Sequence, residues 1–215
     1  MKKLLGFAIV FSLISGVAGA ATIVGTKHDM NSGAATYKGG NNAQSQVCIY
    51  CHTPHNALST LIPLWNHATT LTAAFILYPT GGTMNGVPVQ PLGASKACLS
   101  CHDGTVNVDA FAANVGATKI AIGNPANFGT DLSNDHPISF NYNAALVTAD
   151  TATAGGVVGL VVPTSTSMVV AGIPLFGGTG SLECASCHAV HDGAIPPFLR
   201  STNTSSLLCL KCHIK

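Results

Sequence analysis

All eight cysteines of this 215-residue chain fall in Cys-x-x-Cys-His runs, and none is left over. The four copies are Cys48-Ile49-Tyr50-Cys51-His52, Cys98-Leu99-Ser100-Cys101-His102, Cys184-Ala185-Ser186-Cys187-His188 and Cys209-Leu210-Lys211-Cys212-His213. Two closely spaced thiols with an imidazole directly behind them suit covalent c-type haem: the thiols add to the porphyrin vinyl groups and the imidazole ligates the iron. Zinc ribbons also pair Cys-x-x-Cys units, but they need no histidine after every second cysteine. A disulfide framework spreads its cysteines across loops instead of confining them to tight pairs. The expectation is therefore four haems, attached through Cys48, Cys51, Cys98, Cys101, Cys184, Cys187, Cys209 and Cys212, with His52, His102, His188 and His213 as proximal iron ligands.

Lys2 and Lys3 precede an apolar run from Leu4 to Val17, and Ala18-Gly19-Ala20 has the small residues of a cleavage site. Residues 1–20 read as a secretory signal and residues 21–215 as a single tetrahaem cytochrome domain. The run is short for a membrane span and no later stretch stays apolar long enough to cross a bilayer, so no membrane span is expected. The expected location is exported: extracellular or at the cell surface, with the periplasm as the alternative. Only 8% of residues are charged, against about 25% in an average globular chain. Removing Lys2 and Lys3 takes the formal charge from +1 to −1. Haem propionates lower it further, which gives no basis for nucleic acid binding. A surface this poor in charge favours self-association.

Gly, Asn, Ser, Thr and Pro punctuate nearly every segment, as in Lys38-Gly39-Gly40-Asn41-Asn42, so long helices are not expected. The fold class is a coil-rich multihaem cytochrome c with short helices and a few short β-strands, its core built from four covalently attached haems. Val157–Val162 and Met168–Ile173 are rich in β-branched residues and read as the arms of a hairpin, either a flap over a haem or an exposed interface element. Thr118–Ile122 reads as a weaker strand. Ser45, Ser95, Ser181 and Ser205 are the expected N-caps ahead of the motifs.

Nine histidines are present; beyond the four proximal ones stand His28, His55, His67, His136 and His191, enough to give every iron a second imidazole with one to spare. His55 and His191 lie three residues after His52 and His188, so each pair of Cα atoms is at most about 10 Å apart. Histidines on opposite faces of one haem have Cα atoms roughly 12 Å or more apart, given metal–nitrogen bonds near 2 Å and the reach of the side chain. His55 and His191 are therefore expected to reach haems other than those of their own motifs, which forces close haem pairs. Met30, Met84 and Met168 compete as distal ligands only if imidazoles run short. A reductase needs an open iron position with acid–base groups nearby; the ligand count leaves none, so the chain is expected to transfer electrons and not to be an enzyme.

The segments Lys27-His28-Asp29, Cys48 to Asn56, Pro63-Leu64-Trp65-Asn66, Cys98 to Val106, Asp135-His136-Pro137-Ile138-Ser139-Phe140 and the paired C-terminal motifs resemble, in that order, a family of exported tetrahaem c-type cytochromes of metal-respiring bacteria. The resemblance covers nearly the whole chain after residue 20, least distinctively at about residues 145–180. It implies polymerisation into extracellular nanowires, with other exported cytochromes and extracellular electron acceptors as further partners. It also implies His28, His55, His136 and His191 as distal iron ligands and His67 as the histidine left over. By analogy with filament-forming relatives, His28 is the imidazole most readily donated to a neighbouring subunit. A monomeric periplasmic shuttle and a multihaem reductase are the competing readings.

Overall fold

Every Cys-x-x-Cys-His run coincides with a helical turn. A 3-10 turn spans Val47–Tyr50, helix α1 spans Gly93–His102, helix α2 Ala144–Thr153 and helix α3 Cys184–Cys187; further 3-10 turns span Thr204–Ser206 and Cys209–Lys211. The motif spacing explains this, because its first cysteine and its histidine stand four residues apart, the interval of one α-helical hydrogen bond. His52 N–H donates to the Cys48 carbonyl at 2.8 Å, His188 N–H to Cys184 at 3.1 Å and His213 N–H to Cys209 at 2.9 Å. The computed structural model describes residues 22–31, 44, 46–58, 61–81, 84–164, 169–170 and 172–214. The expected signal at residues 1–20 lies outside them, as do Ser45 and Met168.

The remaining architecture is coil with short β-pairings, as the composition implied. Strand β1 (Phe140–Asn141), β2 (Val169–Val170), β3 (Ile173–Pro174) and β4 (Ser181–Leu182) form two antiparallel pairs. β1 pairs with β4, Phe140 opposite Leu182, and β2 pairs with β3, Val170 opposite Ile173. Among the described residues the expected hairpin between Val157–Val162 and Met168–Ile173 is not formed. Instead β2 turns back on β3 beside Gly172, whose φ of +86° suits glycine. The 159–161 segment pairs with the C-terminal motif: Val161 N–H donates to the Cys212 carbonyl at 2.9 Å and Ile214 N–H to Gly159 at 2.8 Å. The Tyr142 hydroxyl is 2.9 Å from the Val161 carbonyl and 3.1 Å from that of Cys212, so it pins this junction.

Thr118–Ile122 is not a strand either. Asp109, fully buried, accepts hydrogen bonds from the N–H groups of Ala117 and Thr118, which curls the chain round its carboxylate. Gly116, at φ +66°, abuts that carboxylate where a Cβ would collide. Three of the expected serine caps, Ser95, Ser181 and Ser205, fail as well. Ser95 lies inside α1, whose N-cap is Leu92, while Ser181 belongs to β4 and Glu183 caps α3. Ser205 lies inside the Thr204–Ser206 turn. Asn143 does cap α2, its side chain accepting from Leu146 N–H at 2.9 Å.

Among the described residues two small apolar clusters hold these elements. Phe140, Tyr142, Ile173, Leu175 and Leu182 form one, with Leu208 and Cys212 of the C-terminal region packed on it. Phe75, Leu99 and Leu132 form the other, under α1. Among the described residues no helix is long and apolar enough to cross a membrane.

Candidate functional site

Motifs that are consecutive in the chain also adjoin in space. Burial and then the neighbouring Cys51 push the Cys101 thiol up, so motifs one and two adjoin. The Cys98 thiol is held well above the usual thiol range first by its hydrogen bond with Cys184, then by burial, which joins motifs two and three. Burial, Cys187 and Cys209 raise Cys212 to about 11, which joins three and four. The terminal motifs are the open ones: Cys48 and Cys209 are exposed, the other six cysteines partly buried.

His52, His102 and His188 are oriented by backbone carbonyls. His52 Nδ1 lies 3.0 Å from the Pro63 carbonyl, His102 Nδ1 2.7 Å from Ala126 and His188 Nδ1 2.9 Å from Pro197. A ring that donates from Nδ1 presents Nε2 as a lone pair, the arrangement in which histidine ligates a metal. These carbonyls were not foreseeable, since nothing in a side chain marks them.

Two of these rings face another imidazole. The centroids of His52 and His191 are 6.1 Å apart and those of His28 and His102 are 6.0 Å apart. Two imidazoles on opposite sides of one iron have centroids about 6 Å apart, from metal–nitrogen bonds near 2 Å and ring centres roughly 1 Å beyond the nitrogens. Aromatic side chains flank the second pair: Phe198 stacks on His28 at 4.6 Å and Phe128 on His102 at 5.6 Å. Burial first, then the charges of His102, His188 and His191, lower the His28 pKa to about 4, so the ring is neutral and able to ligate near neutral pH. Burial likewise lowers His102, against its bond to Ala126.

His28 thus packs against a histidine of its own chain. His55 and His136 are exposed, His136 with Nδ1 2.9 Å from the Pro137 carbonyl. His213 pairs with Leu160 through a β-bridge and is exposed. His67 differs from all of these: it is 1% exposed, with Nδ1 2.7 Å from the Ala68 carbonyl and Nε2 3.0 Å from that of Asn107. Burial lowers its pKa, so the neutral ring donates to one of these carbonyls only, and Nε2 also stands 3.4 Å from Cys101 Sγ.

The residues present fit haem. Four of the histidines stand in two opposed pairs, His52 with His191 and His28 with His102, and among the described residues no three His, Cys, Asp or Glu side chains converge on a point where a bare metal ion would sit. Beside the His52–His191 pair, buried Trp65 Nε1 has no hydrogen-bond partner. An indole N–H left without an acceptor suits a carboxylate such as a propionate.

Residues 178–215 match the doubled CXXCH motif family, over the third and fourth motifs. That match indicates a multihaem c-type cytochrome-like chain with covalently bound haem and a role in electron transfer. Among curated proteins, none matches the chain.

Proposed function

We propose that this chain carries four c-type haems, one on each motif, and conducts electrons along them as a subunit of an extracellular filament. The observation that carries the reading is the opposition of His52 to His191 and of His28 to His102 at about one iron's width, each pair joining distant parts of the chain. When bound, c-type haem supplies an iron that gains and loses one electron. The chain's own residues hold Nδ1 of His52, His102 and His188 against carbonyls so that Nε2 is free, keep His28 neutral by burial, and bring consecutive motifs together. His55 and His136 are the imidazoles left to serve His188 and His213. No iron is left open, and the chain is not an enzyme.

Assembly is supported by the two ends of that series. Around the fourth motif Val157, Val162, Leu210 and Ile214 are exposed, and near the first Leu58 and Leu64 are exposed. Apolar ends on a chain with little charge favour a head-to-tail contact, and one that does not close gives an open filament. The assignment to the OmcE-type nanowire cytochromes, export to the cell surface and delivery to external acceptors are part of the same reading.

Negative-stain microscopy of the native protein tests the filament, and a pyridine haemochrome assay with intact mass tests the haem count. Filaments with four haems per chain are expected. A monomer with four haems at high concentration replaces the wire with a shuttle, and fewer than four haems per chain removes the reading.

A further inference from the structure

Glu183 is 7% exposed, immediately before Cys184. Its Oε2 accepts hydrogen bonds from the Ser95 hydroxyl and, at 2.9 Å, from the Ser139 hydroxyl. Its Oε1 accepts from Ser181 Oγ at 2.6 Å. The Ser186 backbone N–H also donates to this side chain, closing a capping box with the Ser186 hydroxyl. Ser95 Oγ itself accepts from Cys184 N–H at 3.0 Å, so its own proton points to Glu183. Every neighbour of this carboxyl group is a donor, the surrounding of an ionised carboxylate. Among the described residues no Lys, Arg or His forms an ion pair with it.

The charge stands at a junction. Ser95 is on α1, one turn ahead of Cys98, and Glu183 caps α3, which begins at Cys184. The same two helices pack together and bring the Cys98 and Cys184 side chains near each other. A buried negative charge without a cation is costly unless something nearby compensates it. Four donors do part of this, and the remaining field favours positive charge on either side of the junction.

We propose that Glu183 is a positioning residue for the proposed electron transfer. It ties motif two to motif three, and its fixed charge stabilises the oxidised state of the irons ligated by His102 and His188. Reduction there takes up one electron and removes one positive charge that the carboxylate holds; Glu183 neither gains nor loses a proton. The potentials at these two sites then lie below those that the same ligands give without the charge. The inference rests on the four-haem reading.

The test is spectroelectrochemical titration of the haem-loaded full chain against Glu183→Gln, which removes the charge and keeps the size. One or two of the four couples should rise, by on the order of tenfold in the reduced-to-oxidised ratio, about 59 mV for a one-electron couple. Haem content and the remaining couples should not move. An unchanged set of potentials, or an equal shift of all four, overturns the proposal and leaves Glu183 a structural cap. Should Glu183→Gln fail to fold, Ser139→Ala keeps the charge and strips one donor, and the same couples should fall; no shift, or a rise, overturns the proposal. A haem count below four in the unsubstituted protein instead fails the functional reading, so the two failures are separable.

Discussion

His191 faces His52 across 6.1 Å, although the first follows the third Cys-x-x-Cys-His run and the second closes the first run. The pairing agrees with chain reach: a histidine three residues past its own motif stands too close to serve that motif's far side. His191→Met is expected to keep four thioether-bound haems while raising one potential, because thioether ligation favours the reduced iron. Resonance Raman and a redox titration of the variant check it. Unchanged potentials would make His191 a bystander.

His67→Gln should behave in the opposite manner. Both ring nitrogens of His67 face carbonyls in a buried setting, and the neutral ring donates to one of them, so no iron is expected to depend on it. All haems should remain low-spin by magnetic circular dichroism, while stability falls by about 1–3 kcal/mol as a buried carbonyl loses its donor. A new high-spin signal would make His67 a ligand.

Acid should act through His28. Its pKa is lowered from 6.5 to about 4 by burial and by neighbouring histidines. Between these values the unfolded chain binds more protons than the folded one, so this contribution is present above about pH 6.5 and is lost as pH falls through about 4. Iron ligation at the same ring pushes in the same direction, since a proton and a metal compete for Nε2. Residues 22–31 should therefore become protease-sensitive on acidification within or below that window, together with a low-to-high-spin change at one haem. Protection that persists to pH 3 would contradict this.

Tyr142→Phe removes the hydroxyl shared by the Val161 and Cys212 carbonyls. The expected loss is about 1–3 kcal/mol, with the fourth motif loosened before the others. Hydrogen exchange at Val161 and Ile214 should rise first; uniform exchange along the chain would show that the hydroxyl does not pin the C-terminus.

What the sequence made legible was covalent chemistry and reach. Four Cys-x-x-Cys-His runs specify their own helical turns because the hydrogen bond from histidine N–H to cysteine carbonyl lies within the motif. Short range also failed where a distant partner competed. Ser95 carries the composition of a cap, yet its hydroxyl is drawn to Glu183, distant in sequence. Val157–Val162 has strand composition, but its edge is taken by residues near the C-terminus. Asn143 ahead of Ala144-Ala145-Leu146-Val147 is a readable cap for α2, a helix that the expectations built on the haem motifs did not name. The carbonyls of Pro63, Ala126 and Pro197 carry no side-chain signature at all.

Those three carbonyls have a consequence for biogenesis. Each comes later in the chain than the imidazole it orients, by 11, 24 and 9 residues. A chain emerging N-terminus first therefore exposes each attachment segment before the loop that fixes its ring. Thiols and imidazole are open to an attachment enzyme while the downstream loop is still unmade, and only when that loop arrives does the ring lose its freedom to rotate. Covalent loading can thus precede orientation, motif by motif, and a deletion in any of these loops is expected to give chains of full haem mass with misdirected irons.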